Sequence, residues 1–162
     1  MDLNGNLYIT GYFDSPLLIF GSTTLTNASQ GQGDIFVVKY NASGNVLWAK
    51  SAGGWYIDVG NGIAVDANGS SYITGMFNSP SITFGNTVLT DSSGYFCGGG
   101  QGCSDIFLVK YDSTGNVLWA QRAGGIDHDG GTGINLDANG IILNHEVFIL
   151  TSLKYFHESP IP

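Results

Sequence analysis

Residues 34–54 return 71 positions later as residues 105–125, with Asp-Ile-Phe, Lys-Tyr, Gly-Asn-Val-Leu-Trp-Ala and a closing Gly-Gly at matching places. A chain that repeats at a fixed interval is built from supersecondary units, none of which can bury its apolar face alone, so the units must stack. A second register runs from residues 2–13 to residues 66–77, a shift of 64, and the difference is seven residues inserted between Thr90 and Asp105. A third copy opens at residues 133–140, which echo residues 62–69, and the tail beyond lacks the expected Tyr-Ile-Thr-Gly. The organisation expected is a partial unit over 1–65, holding strands two to four and then the first strand of the next unit. A second repeat over 66–140 carries a cysteine-bearing insertion and the start of a third unit, and an atypical tail covers 141–162.

Each unit reads as four strands. In the more complete copy these are residues 63–66, 71–77, 105–111 and 116–123, with Asp-Ala-Asn-Gly at 66–69 and Asp-Ser-Thr-Gly-Asn at 112–116 as hairpin turns. The 25 glycines, few prolines and many Asn, Asp, Ser and Thr beside β-branched and aromatic residues fit short strands joined by tight turns. No sustained helical stripe is present. Strand three is apolar at consecutive positions, Ile35 to Val38 and Ile106 to Val109, whereas a sheet with one wet face would alternate. Both faces of that strand are therefore expected to be buried. The fold class that follows is all-β, with propeller-type blades of four antiparallel strands in an incomplete ring of about two blades. The long connector between strands two and three, with Phe20-Gly21 and Leu25 matching Phe84-Gly85 and Leu89, is expected to form an extra small hairpin at the rim.

The motifs Gly-Ile-Ala-Val-Asp at 62–66, Tyr-Ile-Thr-Gly at 72–75, Asp-x-Phe-x-x-Lys-Tyr at 105–111 and Gly-Asn-x-Leu-Trp at 115–119 follow one another in fixed order. With the Gly-Gly at 124–125 they resemble the bacterial SBBP, or seven-bladed β-propeller, repeat, over residues 1 to about 140. The first two are also similar to NHL-type propeller motifs. The resemblance implies a propeller fold in a secreted or cell-surface bacterial repeat protein, and it implies no catalytic residues. It departs from the family at Ser70, where Asn is favoured, in the cysteine-bearing insertion and in the tail.

Charge narrows the partners. Five basic against thirteen acidic side chains give a net charge of −8, and Lys39, Lys50, Lys110, Arg122 and Lys154 are scattered singly. Nucleic acid, which requires a clustered basic footprint, is not an expected partner. No apolar run reaches the length of a membrane span.

Candidate sites are sparse. Trp55, Tyr56, Tyr95 and Phe96 fall in loops and are the first residues to consider for contact with a glycan or a protein. The recurrent Trp48, Trp119, Tyr8 and Tyr72 read as packing. Asp66 and Asn68 have the alternating oxygens a calcium ion prefers, and Asp127 and Asp129 flank His128, yet turn chemistry accounts for such residues too. No cofactor is expected beyond that calcium. Cys97 and Cys103 bracket a glycine-rich loop that could close as a disulfide in an oxidising compartment. The function expected is a noncatalytic binding or structural scaffold, extracellular or at a bacterial cell surface, that recognises a glycan or a protein. The alternative is a propeller segment of a larger extracellular enzyme whose active site lies outside this chain. Further blades, or self-association, are expected to cover the open faces of the end units.

Overall fold

In a computed structural model, which describes residues 1–29, 31–92, 103–137 and 142–143, the described residues are all-β. The central sheet has four antiparallel strands: β6 (Asp58–Val65), β7 (Ser71–Phe77), β10 (Asp105–Tyr111) and β11 (Val117–Ala123), in the order β11-β10-β7-β6. This is the expected meander, and it forms the second blade. Its copy, the first blade, has only β1 (Leu7–Phe13), β4 (Asp34–Tyr40) and β5 (Val46–Ala52), in the order β1-β4-β5. The two blades share one register: Thr10 pairs with Val37 as Thr74 pairs with Leu108, and both carry an irregularity after the lysine of strand three.

The rim hairpins form as expected, β2 (Leu17–Phe20) with β3 (Thr23–Thr26), and β8 (Ser81–Phe84) with β9 (Thr87–Thr90). The second hairpin fills the space between the blades. Ile82, Phe84 and Leu89 share one core with Ile35 and Val37 of the first blade and Phe107 of the second. A smaller core lies on the far side of the first blade, where Phe20 packs against Phe36.

The expectation of burial on both faces holds along strand three. Ile106, Phe107 and Val109 are buried and Leu108 is half-buried, with no alternation between wet and dry. Strand one begins earlier than its sequence implied, at Asp58 instead of Ile63. The Gly60-Asn61-Gly62 run is strand with a register shift, and the lack of a side chain at its two glycines is a packing requirement. A Cβ on Gly60 would fall on the Thr10 hydroxyl of the first blade, and one on Gly131 would fall on the Thr74 hydroxyl. Those threonines are fixed in turn, donating to the Phe36 and Phe107 carbonyls at 2.8 and 2.9 Å. The Thr-Gly motif and the glycines of the following strand one are thus two halves of one inter-blade contact.

The third unit persists further than its sequence motif. β12 (Asn135–Leu136) pairs with β13 (Ile142–Leu143), with Asn135 opposite Leu143 as Ala64 is opposite Tyr72. The start of the tail therefore keeps the register of strand two. It pairs within the third unit, not across an open edge of the second blade, because the backbone ladder asks only for extended conformation and not for the missing Tyr-Ile-Thr-Gly.

Candidate functional site

Each blade has two ends, and different chemistry gathers at each. At one end lie the strand-one-to-two and strand-three-to-four turns. Asp66 Oδ1 accepts the Asn68 and Ser70 amides at 3.0 and 2.9 Å, and Asp66 Oδ2 stands 3.7 Å from Lys110 Nζ. Asp2 does the same work in the first blade, accepting from Asn4 and Asn6 and lying 3.9 Å from Lys39 Nζ. Burial pushes the Asp2 carboxyl up, but hydrogen bonds from Asn6, Tyr8 and Asn4 outweigh it and hold its pKa at about 2. Asp66 and Asn68, the calcium candidates, thus sit in an Asx turn whose acid already has a lysine beside it. Among the described residues no three His, Cys, Asp or Glu side chains cluster closely enough to hold a metal ion.

The same end carries an inter-blade clasp. Lys39 Nζ and Trp48 Nε1 both donate to the Ser113 carbonyl of the second blade, at 3.0 and 3.2 Å, while the Trp48 ring stacks on Tyr111. Lys39 also lies over the Tyr8 ring, as Lys110 lies over Tyr72. The recurrent aromatics are packing residues, as their repetition implied.

The opposite end holds a row of buried acids, of which the sequence singled out Asp129 alone, as a metal candidate. Asp34, Asp58 and Asp105 are almost wholly buried and Asp129 nearly so. Asp34 and Asp105 occupy the first position of strand three, Asp58 opens β6, and Asp129 holds the repeat-equivalent position ahead of β12. The first glycine of each Gly-Gly makes room for them: a Cβ on Gly53 would meet Asp34 Oδ1, and one on Gly124 would meet Asp105 Oδ1. Asp58 accepts from the Asn78 and Ser79 amides and from the Ser79 hydroxyl at 2.7 Å. Burial nevertheless raises its pKa to about 6, with the Asp34 charge adding to the shift. Asp105 receives Ser92 and the Arg122 guanidinium at 3.0 Å, and burial still raises its carboxyl. Asp34 lacks such a partner because Ser51 stands where the second blade has Arg122. It accepts the Ala28 amide at 2.5 Å, its Oδ1 has no hydrogen bond, and burial raises its pKa. The signal that could have revealed this row is an acid recurring at strand starts beside a Gly-Gly.

Above these acids lie the loops that join strand four of one blade to strand one of the next. Trp55 is 81% exposed there, and Ile126, its repeat equivalent, is 73% exposed. Ile57 is exposed beside Trp55, and Tyr56 is half-buried with its amide held by the Ser79 hydroxyl at 3.0 Å. Sequence reading found Trp55 and missed Ile57 and Ile126, since isoleucine in a strand-rich chain reads as core. Asp127 is exposed on the second of these loops. The Asp129 backbone amide donates to the Ser104 carbonyl at 2.7 Å, just as the Asp58 amide donates to the Gly33 carbonyl. Its carboxylate accepts the Gly125 amide at 2.8 Å. Cys103 is buried with Sγ 2.9 Å from the Ile126 carbonyl oxygen, and it is not a free thiol. Cys97, Tyr95 and Phe96 lie outside the described residues. A separate groove of about 470 Å³ runs between the blades, lined by Lys50, Ser51, Asn86, Thr87 and Asn116 among others.

No protein-family model matches the chain. Over 170 residues it is 29% identical to an uncharacterised WD repeat-containing protein L264 of Acanthamoeba polyphaga mimivirus, covering 99% of this chain and 11% of that protein. Over 140 residues it is 25% identical to the regulatory protein FlaEY of Caulobacter vibrioides, covering 86% of this chain and 14% of that protein. The chain therefore spans only a small part of the length of these curated relatives. No helix among the described residues is long and apolar enough to cross a membrane. Together, the sheet order, the shared register of the blades and the likeness to a repeat protein make the chain a repeat-built, propeller-like module.

Proposed function

We propose that the chain is a noncatalytic recognition module whose rim of strand-four-to-one loops docks a protein partner. The observation that carries this reading is the exposure of Trp55 and Ile126 at equivalent positions on one rim, while the other recurrent aromatics are packed. Exposed apolar side chains held on rigid neighbouring loops are what an interface core uses. The likeness to a WD repeat-containing protein supports a repeat-type binding module. On the resemblance to SBBP repeats, the parent is a secreted or cell-surface bacterial protein.

The test is affinity capture from a bacterial cell-envelope extract, followed by binding of the purified partner to the chain and to a Trp55→Ala/Ile126→Ala variant. Loss of binding with unchanged circular dichroism is expected. Equal binding by the variant, or retention only on a glycan array, overturns the reading.

A further inference from the structure

Among the described residues three basic side chains each stand beside an acid: Lys39 lies 3.9 Å from Asp2, Lys110 3.7 Å from Asp66 and Arg122 3.0 Å from Asp105. Lys50 stands beside none, in a chain with thirteen acidic side chains. It borders the groove of about 470 Å³ between the blades, and no Asp or Glu is among the residues lining that groove. A net charge of −8 discourages anions over the rest of the surface, so this groove is where one can be held.

The sheet sets the direction of that lysine. Lys50 pairs with Val37, whose side chain enters the core shared by the two blades, and cross-strand partners point to the same face. Lys50 therefore leaves β5 on the side of the second blade, where it stays exposed.

Two kinds of residue build the groove. Phe84, Tyr111 and Val117 recur in the first blade as Phe20, Tyr40 and Val46, and their recurrence marks them as scaffold. Lys50 and Asn86 do not recur: Gln121 and Ser22 stand in the equivalent places. Asn86, exposed at the tip of the β8–β9 hairpin, has a side-chain amide with no hydrogen bond among the described residues. Asn116 spends its side-chain nitrogen on Asp112 and Thr114 and keeps its side-chain oxygen for another donor. The groove thus offers one cation and two amides above the buried rings of Phe84 and Tyr111. Its volume falls in the range of small-ligand sites, about 300–1,000 Å³. A lone lysine matches a single carboxylate better than a polyphosphate, and the amides match vicinal hydroxyls.

We propose that this groove binds an acidic saccharide, with the carboxylate of a uronate ring on Lys50 and the ring hydroxyls on Asn86 and Asn116. None of its lining residues belongs to the strand-four-to-one loops, so the site is separate from the protein-docking rim and either can fail without the other.

The experiment titrates the full chain, labelled for NMR, with digalacturonate, with its methyl ester and with citrate. Digalacturonate should shift the Asn86 and Asn116 side-chain amides and saturate with a Kd on the order of 1 mM. The methyl ester, with the same hydroxyls and no charge, and citrate, with charge and no ring, should each bind about tenfold more weakly or worse. Lys50→Met should weaken digalacturonate about tenfold, and Asn86→Ser, which keeps the residue of the first hairpin's turn, about threefold. Both positions are exposed, and each variant is checked for an unchanged spectrum away from the groove. Trp55→Ala/Ile126→Ala should bind digalacturonate as the parent chain does. Absence of saturable shifts at ten times the expected Kd, equal binding of the ester or of citrate, or full affinity in both groove variants overturns the proposal.

Discussion

Ile9 and Ile73 hold the same place in the repeat, yet Ile9 is 47% exposed and Ile73 is wholly buried. The same divergence runs through the blades. Phe107 is buried against Phe84 in the core between the blades, while its copy Phe36 is half-buried against Phe20 on the outer face. Local sequence fixes the strand and its register in both. What it cannot fix is burial, which depends on whether a neighbour stands on each side. The lesson is the quasi-one-dimensional character of stacked repeats, in which a unit draws stability from its interfaces as much as from itself.

The largest contrast should be seen in the paired phenylalanines. Phe107→Ala is expected to cost about 3–5 kcal/mol in denaturant unfolding, because it opens a cavity in a closed core. Phe36→Ala should cost about half as much, since that side chain already meets solvent. Equal losses would show that the first blade is covered as completely as the second.

Next comes the pH response of the buried acids. A carboxyl whose pKa is raised on folding holds a proton that the unfolded chain has released, so stability falls as pH rises between the two values. For Asp58, at about 6 in the folded chain, that window runs from about 4 to 6, and Asp34 and Asp105 shift the same way. Asp2, held at about 2, works oppositely, and its contribution is lost as pH falls from about 4 toward 2. The unfolding free energy should therefore peak near pH 4–5 and drop by on the order of 1–3 kcal/mol by pH 7. Asp34→Asn should flatten the upper limb, since Asp34 has no arginine. Asp105→Asn strands Arg122 and should destabilise at every pH. A flat profile from pH 4 to 7 would refute the burial of these acids.

A smaller contrast separates the tryptophans. Trp48→Ala should cost about 1–2 kcal/mol more than Trp119→Ala, because Trp48 adds the Tyr111 stack and the bond to Ser113 to the edge contact both make with a tyrosine. Thermal unfolding of the two variants side by side decides it. Equal losses would mean that the clasp between blades adds nothing.

Much of this fold was legible because hairpin turns and apolar runs are local signals. The Asp-x-Asn-Gly and Ser-Thr-Gly-Asn turns marked strand pairs, and four apolar residues in a row at 106–109 announced burial on both faces. Strand one was misjudged at its start because Gly60 and Gly62 carry a turn signal locally. Their reason for being glycine lies across the blade interface, at Thr10 and Gly133. Asp34, Asp58 and Asp105 were hidden for a related cause: nothing local distinguishes a solvated Asp from one such as Asp58, held by Ser79 from the neighbouring strand's end. Of the candidate contact residues, Trp55 stood out as an aromatic in a loop, but Ile126 became visible only when the repeat placed it at the same point of the next loop.

The stacking of the two blades can be read from one pair of glycines. Gly44 and Gly115 occupy the same turn position with positive φ, 80° and 86°. An added Cβ on Gly115 would lie 2.9 Å from the Trp48 ring, whereas one on Gly44 would meet nothing within 4 Å. In a proton NMR spectrum at a concentration where the chain is monomeric, a Gly115 α-proton should be shifted clearly upfield by the indole ring. It should show a cross-relaxation peak to that ring, and both effects should vanish in Trp48→Ala. Gly44 should resonate near its unstructured position throughout. If Gly115 behaves like Gly44, the blades are not stacked as described and the interface that organises the molecule does not exist.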